Sequence, residues 1–284
     1  MYLLPVYHII YSIRTSILII EIRGFGEMKE IFVEGQTLPE AYHKALVELM
    51  ENGDIVGCPD YNQQQKECSM TVVVHQPVKE PRISRLIIGG HHELQQYVME
   101  VLDGILDFKI GDGNCWEYTY HARYAYQMPF ILSELTRNPL TRRAVMNIRN
   151  FEVDSKNADP ACMQSIQFFI RDDKLHMKVL FRSNDLPEAF FFNAFALIKL
   201  QEKVAALLAV DVGSYTHRSN SMHCYEKDFD MLERFVKGIK TKSLEDLTYE
   251  YEGYYEKLME EEIPAIMEKV DKLKKEMEER KAKG

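Results

Sequence analysis

An α/β or α+β chain is what this sequence predicts, on three observations. β-branched runs that read as strands alternate with amphipathic helices, and residues 163–181 read as two strands joined at an Asp-Asp turn. One helix, roughly Phe190 to Leu208, is apolar nearly all round and so belongs in a core. The 284 residues carry 46% hydrophobic and 28% charged content, enough for one large core. With 14 Gly and 10 Pro, a collagen-like or mostly disordered chain is excluded. Lys+Arg 35 against Asp+Glu 44 gives a net charge of −9, which argues against a general nucleic-acid binder, because such binding needs a basic face.

Residues 1–27 open on an apolar run that Pro5, His8 and Arg14 interrupt, short of the ~18 uncharged residues a membrane span needs. No basic leader precedes it and no clean cleavage site follows. The expectation is an upstream extension or a loosely attached segment rather than a membrane anchor. Met28 opens a strand, a turn and an amphipathic helix over 39–52, with apolar Ala41, Tyr42, Ala45, Leu46, Leu49 and Met50 on one face and Gly53 as the stop. Residues 54–67 are polar and turn-rich and read as a loop, and Ser69–His75 as a strand. A helix over 92–103 ends at Gly104, an aromatic segment runs from Trp116 to Tyr126, and 127–138 are helical.

Strands follow at Ala144–Ile148, Met163–Arg171 and Lys174–Phe181, then the buried helix, then two further strands at Val210–Thr216 and Ser221–Tyr225. Residues 229–284 change character, being rich in Glu and Lys with apolar positions such as Leu258, Ile263, Ile266, Val270 and Leu273 spaced by three or four. A charged helical C-terminal extension is expected, with Pro264 marking a break. The five cysteines are an odd number without a CxxC, and no histidine falls at metal-site spacing around them, so neither a disulfide framework nor a zinc site is expected, and a reducing cytoplasm fits.

One set of motifs stands above this background. In order along the chain are Arg142-Arg143, Asp159-Pro160-Ala161-Cys162, Phe181-Arg182-Ser183-Asn184-Asp185, Phe192-Asn193 and His223-Cys224-Tyr225. Their order and spacing resemble the thymidylate synthase superfamily, which also holds the pyrimidine nucleotide hydroxymethylases; the likeness covers roughly residues 95–228. The resemblance implies a mixed, mostly antiparallel sheet covered by helices and a homodimer through the sheet face, with 28–228 as the catalytic domain.

The chemistry of the residues agrees. C5 of uracil is a poor nucleophile until a thiolate adds at C6, and Cys162 is the candidate for that addition. If residues 163–181 form a hairpin, Arg182 lies beside Cys162, where its cation would lower the thiol pKa. The alternative for Cys162 is a small core residue at a strand start. By resemblance, Arg182 and Ser183 bind the nucleotide 5′-phosphate, and Arg142 and Arg143 cross the dimer interface into the partner's site. Arg82, or else Arg85, matches a further family arginine only loosely. Asn193 fits the residue that reads the pyrimidine edge, donating to O4 and accepting from N3–H, the uracil pattern. Asp185 matches a residue whose backbone N–H contacts the base, and His223 with Tyr225 the pair that binds the sugar 3′-hydroxyl.

Tyr118, in Tyr118-Thr119-Tyr120-His121-Ala122-Arg123, resembles the tyrosine of a proton-transfer network near the nucleophile. Glu100 is the preferred general acid/base over Glu93 on the same helix. The implied activity is one-carbon transfer to C5 of a uracil nucleotide, dUMP to dTMP, with 5,10-methylenetetrahydrofolate or another reduced pterin as donor and no metal. Hydroxymethylation, a CMP, UMP or dCMP substrate, and a non-catalytic nucleotide-binding relative are the alternatives.

Four departures from the family stand out. Met163 replaces a histidine, Phe181 a glutamine, and Ser219-Asn220-Ser221 a Gly-Gly-Asp; a Glu/Lys helix stands where a short apolar C-terminus closes over folate. Trp116 is the single tryptophan, so no folate-stacking pair is recognisable. The different N-terminal third resembles archaeal-type and antibiotic-pathway members.

Overall fold

The computed structural model describes residues 28–111 and 116–283, with side chains to residue 280. The expectations for residues 1–27 and for Cys115 lie outside the described residues. Strand β1 (Glu30–Gly35) leads into helix α1 (Leu38–Asn52), which Thr37 caps by accepting from the Glu40 amide. Its inward face carries the six apolar residues named from the sequence, all buried.

Residues 54–67 are not a loop. They hold strand β2 (Asp54–Cys58) and the first part of β3 (Gln63–Val74), paired antiparallel with Asp54 opposite Glu67. This hairpin is largely solvent-facing, so it carries no apolar alternation from which a strand could be read. The short strand β4 (Ile83–Ser84) and helix α2 (His91–Asp103) follow. Gly104 closes α2 at φ 64°, and a Cβ there would lie 2.2 Å from Nδ1 of His121, so the left-handed turn and the close approach both require glycine.

Helices α3 (Tyr120–Tyr124) and α4 (Met128–Arg137), strand β5 (Val145–Asn147) and helix α5 (Phe151–Asp154) come next. The buried carboxylate of Asp154 ties α3 to this region, with Arg123 at 2.6 Å and Arg149 at 3.4 Å. The expected hairpin is present as β6 (Met163–Arg171) and β7 (Lys174–Phe181), turning at Asp172 and Asp173 with φ 51° and 55°. Strand β8 (Asn184–Asp185) precedes helix α6 (Phe191–Leu208). Buried Gln201 of α6 donates to the carbonyls of Leu175 at 2.7 Å and Gly213 at 3.2 Å, fixing the helix against the sheet.

The two strands expected after α6 are one, β9 (Asp211–Tyr225). The polar stretch between them stays in the strand because inward-facing His217 and Ser219 are hydrogen-bonded in the interior. The sheet order is β1-β3-β9-β7-β6-β5, with β2 beside β3 and β8 beside β9. It is mixed and mostly antiparallel: β1–β3, β7–β9 and β8–β9 are parallel, the other pairs antiparallel. Helices cover one face. On the other, Phe32 is exposed and Phe169, His176 and Thr216 are only half-buried.

The C-terminal part consists of α7 (Phe229–Thr241), β10 (Thr248–Tyr249), paired with β4, and α8 (Glu256–Lys283). Leu232, Leu247, Tyr251, Tyr255 and Met259 lie in the main core, so this part shares the body's interior. Pro264 does not break the chain: it lies inside α8. The bend falls earlier, at Gly253 with φ 73°, where the backbone leaves helical geometry. A single proline costs α8 a hydrogen bond, and burial of Ile266 and Val270 beyond it against α2 offsets that loss. No helix among the described residues is long and apolar enough to cross a membrane.

Candidate active site

Cys162 stands one residue before β6, half-buried, and the loop that presents it is clamped from three sides. The Arg182 amide donates to the Cys162 carbonyl at 2.8 Å. The Arg182 guanidinium donates through Nη2 to the Pro160 carbonyl at 2.7 Å and through Nε to that of Ala161 at 3.3 Å. The Gln164 amide donates to the Ala161 carbonyl at 3.0 Å and the Cys162 carbonyl at 3.2 Å. The β6–β7 ladder, with Met163 opposite Phe181, thus brings Arg182 beside Cys162 as expected.

The expected electrostatic outcome is corrected. Burial pushes the Cys162 thiol above the ordinary cysteine range; Arg182 pulls it down and Asp159 pushes it up, and burial prevails. The Arg182 charge is partly spent on Asp159, 3.7 Å away. Cys162 is therefore a thiol in the free protein.

Three tyrosines gather beside it. Tyr118 and Tyr120 lie with ring centres 5.7 Å apart, and burial pushes Tyr118 up to about 12 and raises Tyr120 as well. Tyr97, on α2, donates its hydroxyl to Oδ1 of Asn193, and burial together with the nearby Glu100 carboxylate raises its pKa. These tyrosines line a cavity of about 350 Å³ together with Glu100, Val101, Trp116, Glu117, Thr119 and Asp159. Glu100 accepts from the Gln96 amide at 2.7 Å, and burial raises its carboxyl above the ordinary range, against the pull of Gln96, Lys109 and Lys269. Glu93 sits elsewhere: it caps α2, accepting from the Gly90 amide at 2.8 Å, and is exposed, with its carboxyl held low by that bond.

Asn193 is buried at the start of α6, donating through Nδ2 to Oδ1 of Asn184 at 3.3 Å. Ser183 and His223 meet at 3.4 Å, and Tyr225 stands edge-on to His223 with ring centres 5.1 Å apart. Asp185 pairs with His223 across β8 and β9 and caps the next turn, accepting from the Glu188 amide at 3.1 Å. Burial raises its carboxyl to about 7.

Three expected arginines are not in this cluster. Arg142 and Arg143 are exposed on the approach to β5. With Val145 opposite Gln167, Arg143 falls level with residue 169, about 20 Å along β6 from the Cys162 end at ~3.3 Å per residue. They cannot serve this chain's own site. Arg82 is buried and paired with Glu202, its guanidinium 4.8 Å from the ring centre of Tyr251 and 5.6 Å from that of Phe195, so it holds α6 to the C-terminal part. Arg85 donates to the Thr248 carbonyl at 2.9 Å with its guanidinium 4.3 Å from the ring centre of Tyr249, tying the segment after β4 to the C-terminal part.

A family model described as thymidylate synthase matches residues 100–280. The chain belongs to the thymidylate synthase family. Among curated proteins, a provisionally named thymidylate synthase of Methanosarcina mazei is 30% identical over 215 residues, 73% of this chain and 95% of the relative. One from Methanocaldococcus jannaschii is 28% identical over 218 residues, 72% of this chain and 95% of the relative. Thymidylate synthase 1 of Bacillus spizizenii is 32% identical over 108 residues, 38% of each chain. Among solved structures, the thermostable thymidylate synthase A of Bacillus subtilis shares the fold, with TM-score 0.59, 16% identity, and 75% of this chain and 92% of that chain covered.

Motif reasoning missed Tyr97, Tyr120, Asn184 and His217. Tyr97 was within reach, because it lies one turn before Glu100 on the same face of α2. His217 carried no signal, and Asn184, though inside the Phe181–Asp185 motif, had no role to read there, since only the fold places both behind Asn193.

Proposed function

We propose that this thymidylate synthase family member transfers a one-carbon unit to C5 of a uracil nucleotide, dUMP to dTMP, through a covalent bond between Cys162 Sγ and C6. The observation that carries the reading is the clamped Cys162 loop beside Arg182, with Asn193, Ser183 and His223 grouped at the neighbouring strand ends. As the sulfur adds at C6 the Cys162 thiol gives its proton to solvent water, and the ring takes the electron pair of the C5–C6 double bond as an enolate at O4. Asn193 holds O4 and N3–H. Arg182 and Ser183 take the phosphate, the bonds to the Pro160 and Ala161 carbonyls fixing the guanidinium beforehand. His223 and Tyr225 take the sugar hydroxyl, and the Asp185 backbone borders the base.

The cavity beyond Tyr97 and Tyr118 suits a reduced pterin: its volume suits a small-molecule site, its walls are aromatic, and Glu100 and Glu117 offer carboxylates to the donor edge of such a ring. A bound 5,10-methylenetetrahydrofolate or related reduced pterin would supply the one-carbon unit and, for a methyl product, the hydride that reduces it. Trp116 and Tyr118 would flank it, and Glu100, whose carboxyl is raised by burial, exchanges the proton at O4 through water.

The half-buried sheet face and the remote Arg142 and Arg143 support a homodimer in which each chain lends these arginines to the partner's phosphate site. The test is intact mass after incubation with 5-fluoro-dUMP and methylenetetrahydrofolate. An adduct on the wild type and none on Cys162→Ser is expected; nucleotide binding with no adduct overturns the covalent route. Mixing Cys162→Ser with the double variant Arg142→Ala/Arg143→Ala should restore activity that neither has alone. No restoration removes the shared site.

A further inference from the structure

Behind Asn193 lies a buried hydrogen-bonded chain that the proposed chemistry does not use. Asn193 Nδ2 donates to Asn184 Oδ1 at 3.3 Å, Asn184 Nδ2 meets His217 Nε2 at 2.9 Å, and His217 Nδ1 meets the Tyr215 hydroxyl at 2.9 Å. At the other end, Tyr97 donates to Asn193 Oδ1. Asn184 and Asn193 are 4% and 6% exposed and His217 is fully buried, so water cannot substitute for a missing partner.

A neutral imidazole has one donor and one acceptor nitrogen, so it transmits polarity. His217 stays neutral, because burial lowers its pKa to about 3, and it stacks on Phe181 with ring centres 4.5 Å apart. An Asn184 amide donating to Nε2 requires the ring proton on Nδ1. The opposite tautomer would require the Asn184 oxygen at Nε2. Both amides would then have to turn over together, since turning one alone sets two donors or two acceptors face to face.

We infer that His217 and Asn184 are specificity-determining positioning residues, which hold the Asn193 amide in the orientation that matches uracil and rejects cytosine. Each amide has a second N–H and a second lone pair, so Asn193 serves the chain and still has one donor and one acceptor for a base. Uracil presents O4 and N3–H to them, whereas cytosine presents an amino group and a bare N3, the reverse pattern. Turning the amide exchanges the two preferences. The inference rests on the proposed function, and assigns the choice of base to residues that never touch it.

The test measures dUMP and dCMP affinity for wild type, Asn184→Leu, Asn193→Ala and the double variant, each with a melting curve. Asn184→Leu releases the Asn193 amide, so the dUMP-to-dCMP preference should fall about tenfold or more toward parity. In the Asn193→Ala background, adding Asn184→Leu should leave the ratio unchanged. A second measurement needs no variant: imidazole ¹⁵N shifts of the wild type should show His217 protonated at Nδ1. An unchanged ratio in folded Asn184→Leu, or a proton on Nε2, overturns the inference while leaving the proposed function standing. Wild type that binds neither nucleotide removes the proposed function itself, and this inference with it.

Discussion

The two walls of the site are built differently. On the nucleotide side, Cys162, Arg182, Ser183, Asp185 and His223 each lie in a ladder of the sheet or within a residue of one, through the pairs Met163–Phe181, Phe181–Ser219 and Asp185–His223. On the opposite side, Glu100 and Tyr97 lie on α2, and Trp116 and Tyr118 on the segment before α3; α8 backs α2 and Trp116, while Tyr97 packs toward α6. Backbone register fixes the first wall to a fraction of a strand repeat. The second wall is fixed by side-chain packing between helices, which tolerates substitution and allows small shifts. On the proposed function, the chemistry that must be placed to a few tenths of an ångström would sit on the sheet, and the part that receives a second molecule on the helices.

The sharpest way to break this contrast is at Arg182. Arg182→Ala removes the phosphate cation and both carbonyl bonds that hold the Cys162 loop, so dUMP affinity should fall about 100-fold or more, at ~1.5–3 kcal/mol per charged hydrogen bond. Donor KM should stay within about twofold. Equal losses for both substrates, measured by steady-state kinetics, would mean the two walls are not independent.

Next in size is the pair of glutamates on α2. Glu100→Gln should lower kcat about 10²-fold or more with nucleotide Kd unchanged, as expected of a positioned acid/base. Glu93→Gln should leave kcat unaltered, because Glu93 only caps the helix. A kcat loss at Glu93 alone would reverse the assignment. On the same wall, Ile266→Ala opens a cavity where Ile266 and Val270 of α8 meet Met99 and Leu106. It should cost about 2–4 kcal/mol by denaturant unfolding and raise donor KM while nucleotide affinity holds. A change confined to nucleotide affinity would show that α8 backs the wrong wall.

The same contrast explains what could be read from the sequence. The hairpin at 163–181 and its neighbours were legible because short-range turn chemistry and alternating residues specify them, and Cys162 and Arg182 come together as a direct result. The β2–β3 hairpin was not, since its polar edge strands lack alternation, and β9 read as two strands because its buried His217 and Ser219 look like turn residues. Arg82, which with Arg85 as its alternative matched a family arginine only loosely, is paired with Glu202 and lies over the Tyr251 ring, contacts that the sequence does not announce. The Asn184–His217 relay was illegible because it matters only through contacts between distant elements, whereas Tyr97 could have been read from its place one turn before Glu100 on α2. The charged C-terminal part read as an appendage, since only part of α8 faces inward, yet that part packs against α2 and α6 neighbours through Ile266, Val270 and the Tyr251 to Met259 segment.

The smallest effect concerns strain carried by the sheet wall itself. Asp185 is held by register where burial raises its carboxyl from 3.8 to about 7. Because the folded pKa lies above the unfolded one, its contribution to stability is complete below about pH 3.8 and is lost as pH rises through 7. Asn at this position keeps the cap on the Glu188 amide, since a side-chain amide oxygen accepts as a carboxylate does, and it carries no charge. Asp185→Asn should therefore match wild type in melting temperature at about pH 4. The variant's advantage should then grow through the interval from 3.8 to 7. Above about pH 7.5 it should level off at about 1–2 kcal/mol, a few degrees for a chain of this size, below the ~4 kcal/mol of the full shift because Asp185 is only half-buried and water screens its charge. An advantage equal at all pH values would place the effect in the cap and not in the charge. A variant less stable above pH 7.5 would mean that the charged carboxylate has a partner in solution, and that register imposes no strain on this wall.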